Sequence, residues 1–109
     1  MSQTVNEGEE AYADDTPLVE LFGDGARARL LSVFATKRNR EFTVSELARQ
    51  AGITRKTVYE YLDEFESLGI VESIEAGQGS RYTTADSEIA TKLYELNGVT
   101  LQKLLDIEE

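Results

Sequence analysis

The stretch VSELARQAGITRKTVYEYL, Val44 to Leu62, constrains this chain more than any other part of it. Apolar residues keep helical spacing on either side of Gly52, as two short helices crossing at roughly 90 to 120° through a turn of about 3 to 4 residues require. A small residue must sit where the backbones approach, and Ala48 occupies that place. Gly52 suits a turn that favours positive φ, and Leu47, Ile53 and Val58 supply the apolar anchors. Thr43, followed three residues later by Glu46, has the capping-box pattern and predicts a helix from about Val44 to Ala51. Thr54 is placed to cap the next helix, which is expected to run to about Leu68 with Val58, Leu62, Phe65 and Leu68 as its buried stripe.

Around this pair the pattern is simple. Pro17 opens a short apolar turn, Leu18, Val19, Leu21 and Phe22, which Gly23, Asp24 and Gly25 interrupt. Ala26, Leu30, Leu31 and Phe34 then mark a first core helix ending near Lys37, with Glu41 and Phe42 as a brief extended link. Residues 70–75 and 81–84 are strand-like and flank Ala76, Gly77, Gln78, Gly79 and Ser80, which predicts a hairpin with a flexible tip. Beyond Asp86, Ile89, Leu93, Leu96, Leu104 and Ile107 keep helical spacing, and Leu101 and Leu105 widen the stripe. A terminal helix of about 20 residues is expected, bent near Gly98. The fold class is therefore mainly α (α+β): a three-helix core, a two-stranded hairpin and a C-terminal helix. Residues 1–16 read as an acidic, disordered or loosely ordered tail, 17–86 as the folded domain, and 87–109 as the terminal helix.

The 109 residues suffice for one domain. No apolar run is long enough to cross a bilayer, so a cytoplasmic location is expected. With no cysteine and no histidine, the chain lacks disulfides, thiolate or imidazole metal sites and imidazole acid–base chemistry. No cofactor, metal site or catalytic residue is expected. Adjacent carboxylates such as Asp63 and Glu64 diverge on a helix, which argues against an enzyme.

The formal charge of −10 is at first sight wrong for a nucleic-acid binder. Its distribution changes that judgement. Residues 1–24 carry seven acids and no base, residues 25–60 carry eight bases and three acids, and residues 61–109 carry eleven acids and three bases. One basic block sits inside an acidic shell. The acidic surface, four lysines against seven arginines, and the lack of Cys and Trp resemble proteins of halophilic archaea, which work in molar potassium chloride. An ordinary acidic domain, negative for solubility, has the same composition.

Together, LFGDGARARLLSVFA, TVSELARQAGITRKTVYEYLDEFESLGIVE and the RYTT strand stand in the order found in winged helix-turn-helix transcriptional regulators. The chain resembles these regulators over about residues 18–96, and most nearly their ArsR-like group. That resemblance implies sequence-specific binding of double-stranded DNA. The second helix of the pair would enter the major groove, and the hairpin, as the wing, would reach the flanking backbone or minor groove. Thr54, Arg55, Lys56, Thr57, Tyr59 and Glu60 would then face the duplex. Arg55 suits guanine O6 and N7, and Lys56 suits a phosphate. Thr57 and Tyr59 suit a thymine methyl, a phosphate or a base edge, although Tyr59 also fits partial core packing. Glu60 departs from the pattern, since related regulators often carry a base there, and a carboxylate repels phosphate unless it accepts from cytosine N4. Ser45 is a further phosphate donor, and Gln78, Ser80 and Arg81 are the candidates on the wing. Arg27, Arg29, Lys37, Arg38 and Arg40 are available to widen the basic footprint, with plain solvated positions the simpler expectation for Arg27 and Arg29.

The terminal helix carries more apolar stripe than a small core covers, and this points to a homodimer through Ile89, Leu93, Leu96, Leu101, Leu104 and Leu105. Folding back onto the chain's own Leu21, Phe22 and Leu30 is the monomeric alternative. The ArsR-like resemblance often brings a metal or redox trigger, but the usual ligands are missing here, and whether any small-molecule effector exists stays open. The rival to DNA binding is a winged-helix module that binds another protein without reading bases; the basic block argues against it and Glu60 argues for it.

Overall fold

The computed structural model describes residues 11–77 and 79–108. Five helices and one hairpin follow in chain order: α1 (Pro17–Phe22), α2 (Ala26–Thr36), α3 (Val44–Ala51), α4 (Arg55–Ser67), β1 (Val71–Ala76), β2 (Gly79–Thr84) and α5 (Glu88–Glu108). The core lies among α2, α3, α4 and the root of the hairpin. Leu30, Val33 and Phe34 from α2 meet Leu47, Ala48 and Ala51 from α3, and Val58, Leu62 and Phe65 from α4; Phe42, Ile70 and Val71 complete the cluster. Phe34 and Phe42 meet edge to face, with centroids 6.1 Å apart, a geometry the aromatic quadrupoles favour.

The signals at the helix ends act as expected. Thr43 accepts from the Glu46 N–H while the Glu46 carboxylate accepts from the Thr43 N–H, which closes the capping box of α3. Gly52 adopts φ +74° and ends that helix in the left-handed region. At the end of α4 the expected stripe breaks. Leu68 is exposed, because Gly69 reverses the chain at φ +78°. Ile70, whose N–H donates to the Phe65 carbonyl at 2.9 Å, takes the buried place instead.

The hairpin pairs antiparallel from Val71 opposite Thr84 to Ala76 opposite Gly79. The extended link before α3 joins it. Phe42 and Tyr82 exchange two backbone hydrogen bonds of 2.8 Å, so β2 lies between β1 and a single residue of a third extended segment. Thr84 Oγ1 donates to the Phe34 carbonyl at 2.7 Å, and Thr83 Oγ1 donates to the Arg40 carbonyl at 2.9 Å. These bonds fasten the root of the hairpin to both sides of the α2–α3 link.

Two expectations need correction. Residues 11–16, assigned above to a loose tail, pack on the domain: Ala13 and Thr16 are buried, and the Ala13 N–H donates to the Gln50 carbonyl at 2.9 Å. The physical reason is a set of partners distant in the chain that polar composition does not announce, including the buried Thr16–Ser32 hydroxyl pair at 2.6 Å. The rest of that tail, residues 1–10, lies outside the described residues. Leu93, assigned above to self-association, packs against the chain's own core instead. A helix docked on α1 and α2, as α5 is, must bury its inner face there, and Ala90 and Asn97 are buried as well. The helix runs without a break through Gly98.

Removing a side-chain cap costs typically about 1 kcal/mol. Thr43→Ala should therefore lower the unfolding free energy by about 1 kcal/mol in urea titration, with an unchanged denaturant slope.

Candidate nucleic-acid interface

Most of the candidate residues gather at the start of α4. Thr54 Oγ1 accepts from the Thr57 N–H at 3.1 Å and donates to Thr57 Oγ1 at 2.9 Å. Both threonines are thus tied into the first turn of α4, where unpaired backbone N–H groups give a helix its positive end. Arg55 and Lys56 follow, both exposed and in no ion pair among the described residues. Arg55 Nη1 donates to Ser45 Oγ at 3.0 Å, joining the first turn of α3 to that of α4. One turn further along, Tyr59 is 58% exposed while its neighbour Val58 is fully buried. Glu60 is also exposed. Seven of the ten candidates, Ser45, Thr54, Arg55, Lys56, Thr57, Tyr59 and Glu60, therefore come from the starts of two consecutive helices.

The hairpin contributes less evenly. Strand alternation turns Tyr82 and Thr84 toward the body and leaves Arg81 exposed on the other face. Ser80 shares the Tyr82 side, and its hydroxyl donates across the ladder to Glu75 Oε2 at 3.1 Å. Gln78 lies outside the described residues. Burial, with Glu66, Tyr59 and Glu75 nearby, pushes the Tyr82 phenol above its ordinary range.

At the start of α3 the Thr43 N–H, and after it the charges of Arg81 and Arg40, hold the Glu46 carboxyl below its usual range against the opposing effect of burial. Arg40 was legible only as one base among several. The fold brings it to the same helix start as Arg81.

Much of the rest of the basic block is engaged with partners within the molecule. Arg27 pairs with Glu64 and lies 4.9 Å from the centre of the Tyr61 ring. Arg29, expected to be solvated, is only 12% exposed and pairs with Asp14 and Asp24. Although burial opposes its charge, hydrogen bonds to these two carboxylates hold its pKa above the ordinary value. Lys37 lies 4.0 Å from the Tyr12 ring centre and donates to Gln50 Oε1 at 2.7 Å. Arg38 donates to Thr91 Oγ1 at 2.8 Å and lies over Tyr94. The bases that remain exposed include Arg40, Arg49, Arg55, Lys56 and Arg81.

Among the expected association residues, Ile89, Leu96, Leu101 and Leu105 are exposed, and Leu104 is half-buried. Leu21, Phe22, Tyr94, Val99 and Ile107 add exposed apolar surface, of which Tyr94 and Val99 lie outside the helical stripe read from the sequence. No helix of the described residues is long and apolar enough to cross a membrane. No group of three or more acidic, His or Cys side chains among them could hold a metal ion.

Two helices joined at Gly52, a third packed behind them and a hairpin fastened alongside make a winged helix-turn-helix fold. A family of helix-turn-helix domains matches residues 22–74, from the end of α1 into β1. Among solved structures, reduced HlyU from Vibrio cholerae superposes with a TM-score of 0.58 at 20% identity, over 76% of this chain and 87% of that one. The MarR family transcriptional regulator SPO1453 from Silicibacter pomeroyi gives a TM-score of 0.60 at 18% identity, over 83% of this chain and 71% of its own. At such identities the likeness is one of fold. No curated protein sequence matches the chain.

Because folding holds Glu46 in its charged form, its contribution to stability is complete above the ordinary value of 4.5 and is lost as pH falls through the lower folded value. Glu46→Gln should therefore show a smaller drop in Tm than the parent between about pH 5 and about pH 3, measured by circular dichroism.

Proposed function

We propose that this protein is a sequence-specific, double-stranded DNA-binding transcriptional regulator that acts as a homodimer. The observation that carries the reading is the first turn of α4, where Arg55 and Lys56 stand exposed at a helix N-terminus beside Ser45. Here α4 is the recognition helix. Arg55 is suited to bidentate contact with guanine O6 and N7, and Lys56 to a phosphate. Ser45 and the α4 N-terminus add phosphate donors. Tyr59 and Glu60 complete the groove-facing surface, and Glu60 favours a site with cytosine in reach. Arg81 on the wing contacts the flanking backbone or minor groove. Ser80, on the other face of β2 and bonded to Glu75, is less suited to such a contact.

The fold family of the comparisons supports this reading, as does the position of the free bases. The protein is acidic overall, yet Arg40, Arg55, Lys56 and Arg81 cluster at the starts of α3 and α4 and on the adjoining wing. If the protein works in molar salt, where the Debye length is about 3 Å, counterion release contributes little and affinity rests on short-range contacts.

The exposed second half of α5 supports the dimer. Leu101 and Leu105, one turn apart, leave one apolar strip of α5 open, Ile89, Leu96 and Ile107 leave another on a different side, and Leu21 and Phe22 are exposed on α1. A twofold pair of recognition helices would read half-sites roughly 34 to 36 Å apart.

Selection from a random duplex library, at low and at molar potassium chloride, should enrich a near-palindrome that Arg55→Ala/Lys56→Ala no longer binds. Enrichment at neither salt would instead favour the protein-binding module. In sedimentation, Leu101→Glu/Leu105→Glu should shift the parent dimer to a folded monomer; a parent already monomeric at tens of micromolar would remove the dimer from the reading.

A further inference from the structure

The C-terminal end of α3 is where the helix-turn-helix sets its geometry, and three separate parts of the chain meet there. Helix ends leave their last carbonyls without partners inside the helix. For α3 two of these are met from outside: Arg29 Nε donates to the Ala51 carbonyl at 2.5 Å, and the Ala13 N–H donates to the Gln50 carbonyl at 2.9 Å. Asp14 and Asp24 hold the other two guanidinium nitrogens of Arg29. The turn itself is pressed from the same side. A Cβ at residue 52 would lie 2.6 Å from Arg29 Nη2 and 2.7 Å from the Ala11 Cβ. Glycine is therefore required twice there, once by φ +74° and once by the neighbours.

We infer that Arg29 and residues 11–16 are positioning elements of the DNA-reading apparatus, capping α3 from outside and thereby fixing the angle at which α4 leaves the Gly52 turn. This rests on the assignment of α4 as recognition helix. Arg29 touches no duplex in this scheme and acts through Ala51 and Gly52. A cation at a helix C-terminus is favoured by the helix dipole, but a charge alone does not suffice. The planar guanidinium meets the carbonyl and both carboxylates at once, which a lysine ammonium on a flexible stem does not reproduce. Asp14 ties the N-terminal segment to this arrangement, so the segment belongs to the domain that binds rather than to a spacer before it.

The test compares Arg29→Lys, Asp14→Asn and the parent in the full chain. Two quantities are read at a temperature well below every Tm: the angle between α3 and α4 from residual dipolar couplings, and Kd for the selected duplex. Both variants should stay folded, with fast amide exchange confined to about residues 50–55, an altered interhelical angle and a Kd raised at least tenfold. Thr43→Ala, which removes a cap at the other end of α3, controls for stability and should lower Tm without moving either quantity. An unchanged angle in Arg29→Lys and Asp14→Asn overturns the inference, whatever happens to Tm. An altered angle with an unchanged Kd overturns it too. Should the parent select no duplex, the angle still decides the structural part, and the assignment of α4 is what fails.

Discussion

The helix-turn-helix depends on how closely α3 can approach what lies against its C-terminal end. Ala48 has no side chain beyond Cβ, and Gly52 has none at all, so the backbone at the turn comes within contact distance of Arg29 and Ala11. On the inference above, this crowding sets the angle at which α4 leaves the turn. Val58, Leu62 and Phe65 then lock α4 onto the core once the turn has aimed it. Burial of those side chains contributes far more energy than the turn does, roughly 1.5 to 3 kcal/mol for each large apolar group. That term is non-directional, however, and would serve other packing angles almost as well; the turn chooses among them.

Charge in this molecule is sorted by the fold. A count along the chain shows one basic block in an acidic background, but the block is not one surface. Arg27 and Arg29 neutralise acids from distant parts of the chain, while Lys37 and Arg38 lie on aromatic rings. What remains open is Arg49 in the last turn of α3 and a smaller set at the starts of α3 and α4 and on β2. The net charge of −10 therefore says little about how a polyanion would meet this surface. At short range the local set decides, and it decides more completely as salt screens the rest.

The architecture was largely legible because local signals agreed with one another. Thr43 with Glu46, Thr54, Gly52 and the glycines around residue 78 each specify an end or a turn through chemistry that acts within a few residues, and the elements fall where these place them. What could not be read involved partners far apart in the chain. Nothing near Arg29 in sequence announces Asp14 or the Ala51 carbonyl, and a segment as polar as residues 11–16 gives no periodic cue that Ala13 is buried. Leu93 and Leu101 fall on the same helical stripe, and only the place where α1 and α2 stop covering α5 separates a core residue from an exposed one. For the candidate interface, the α4 residues were legible as a group, whereas the approach of Arg40 to Arg81 needed the third dimension.

The paired backbone bonds between Phe42 and Tyr82 have a mechanical consequence. They join the middle of the wing's second strand to the residue that immediately precedes the α3 cap, so the wing is braced against the same helix whose far end aims α4. Wing and α4 are thus linked through α3 as well as through the turn that joins α4 to β1. If α4 reads a duplex as proposed, a duplex seated between wing and helix would have to adjust its own groove width and bend to fit. Discrimination would then extend to base pairs that no side chain touches, through the sequence-dependent cost of deforming them.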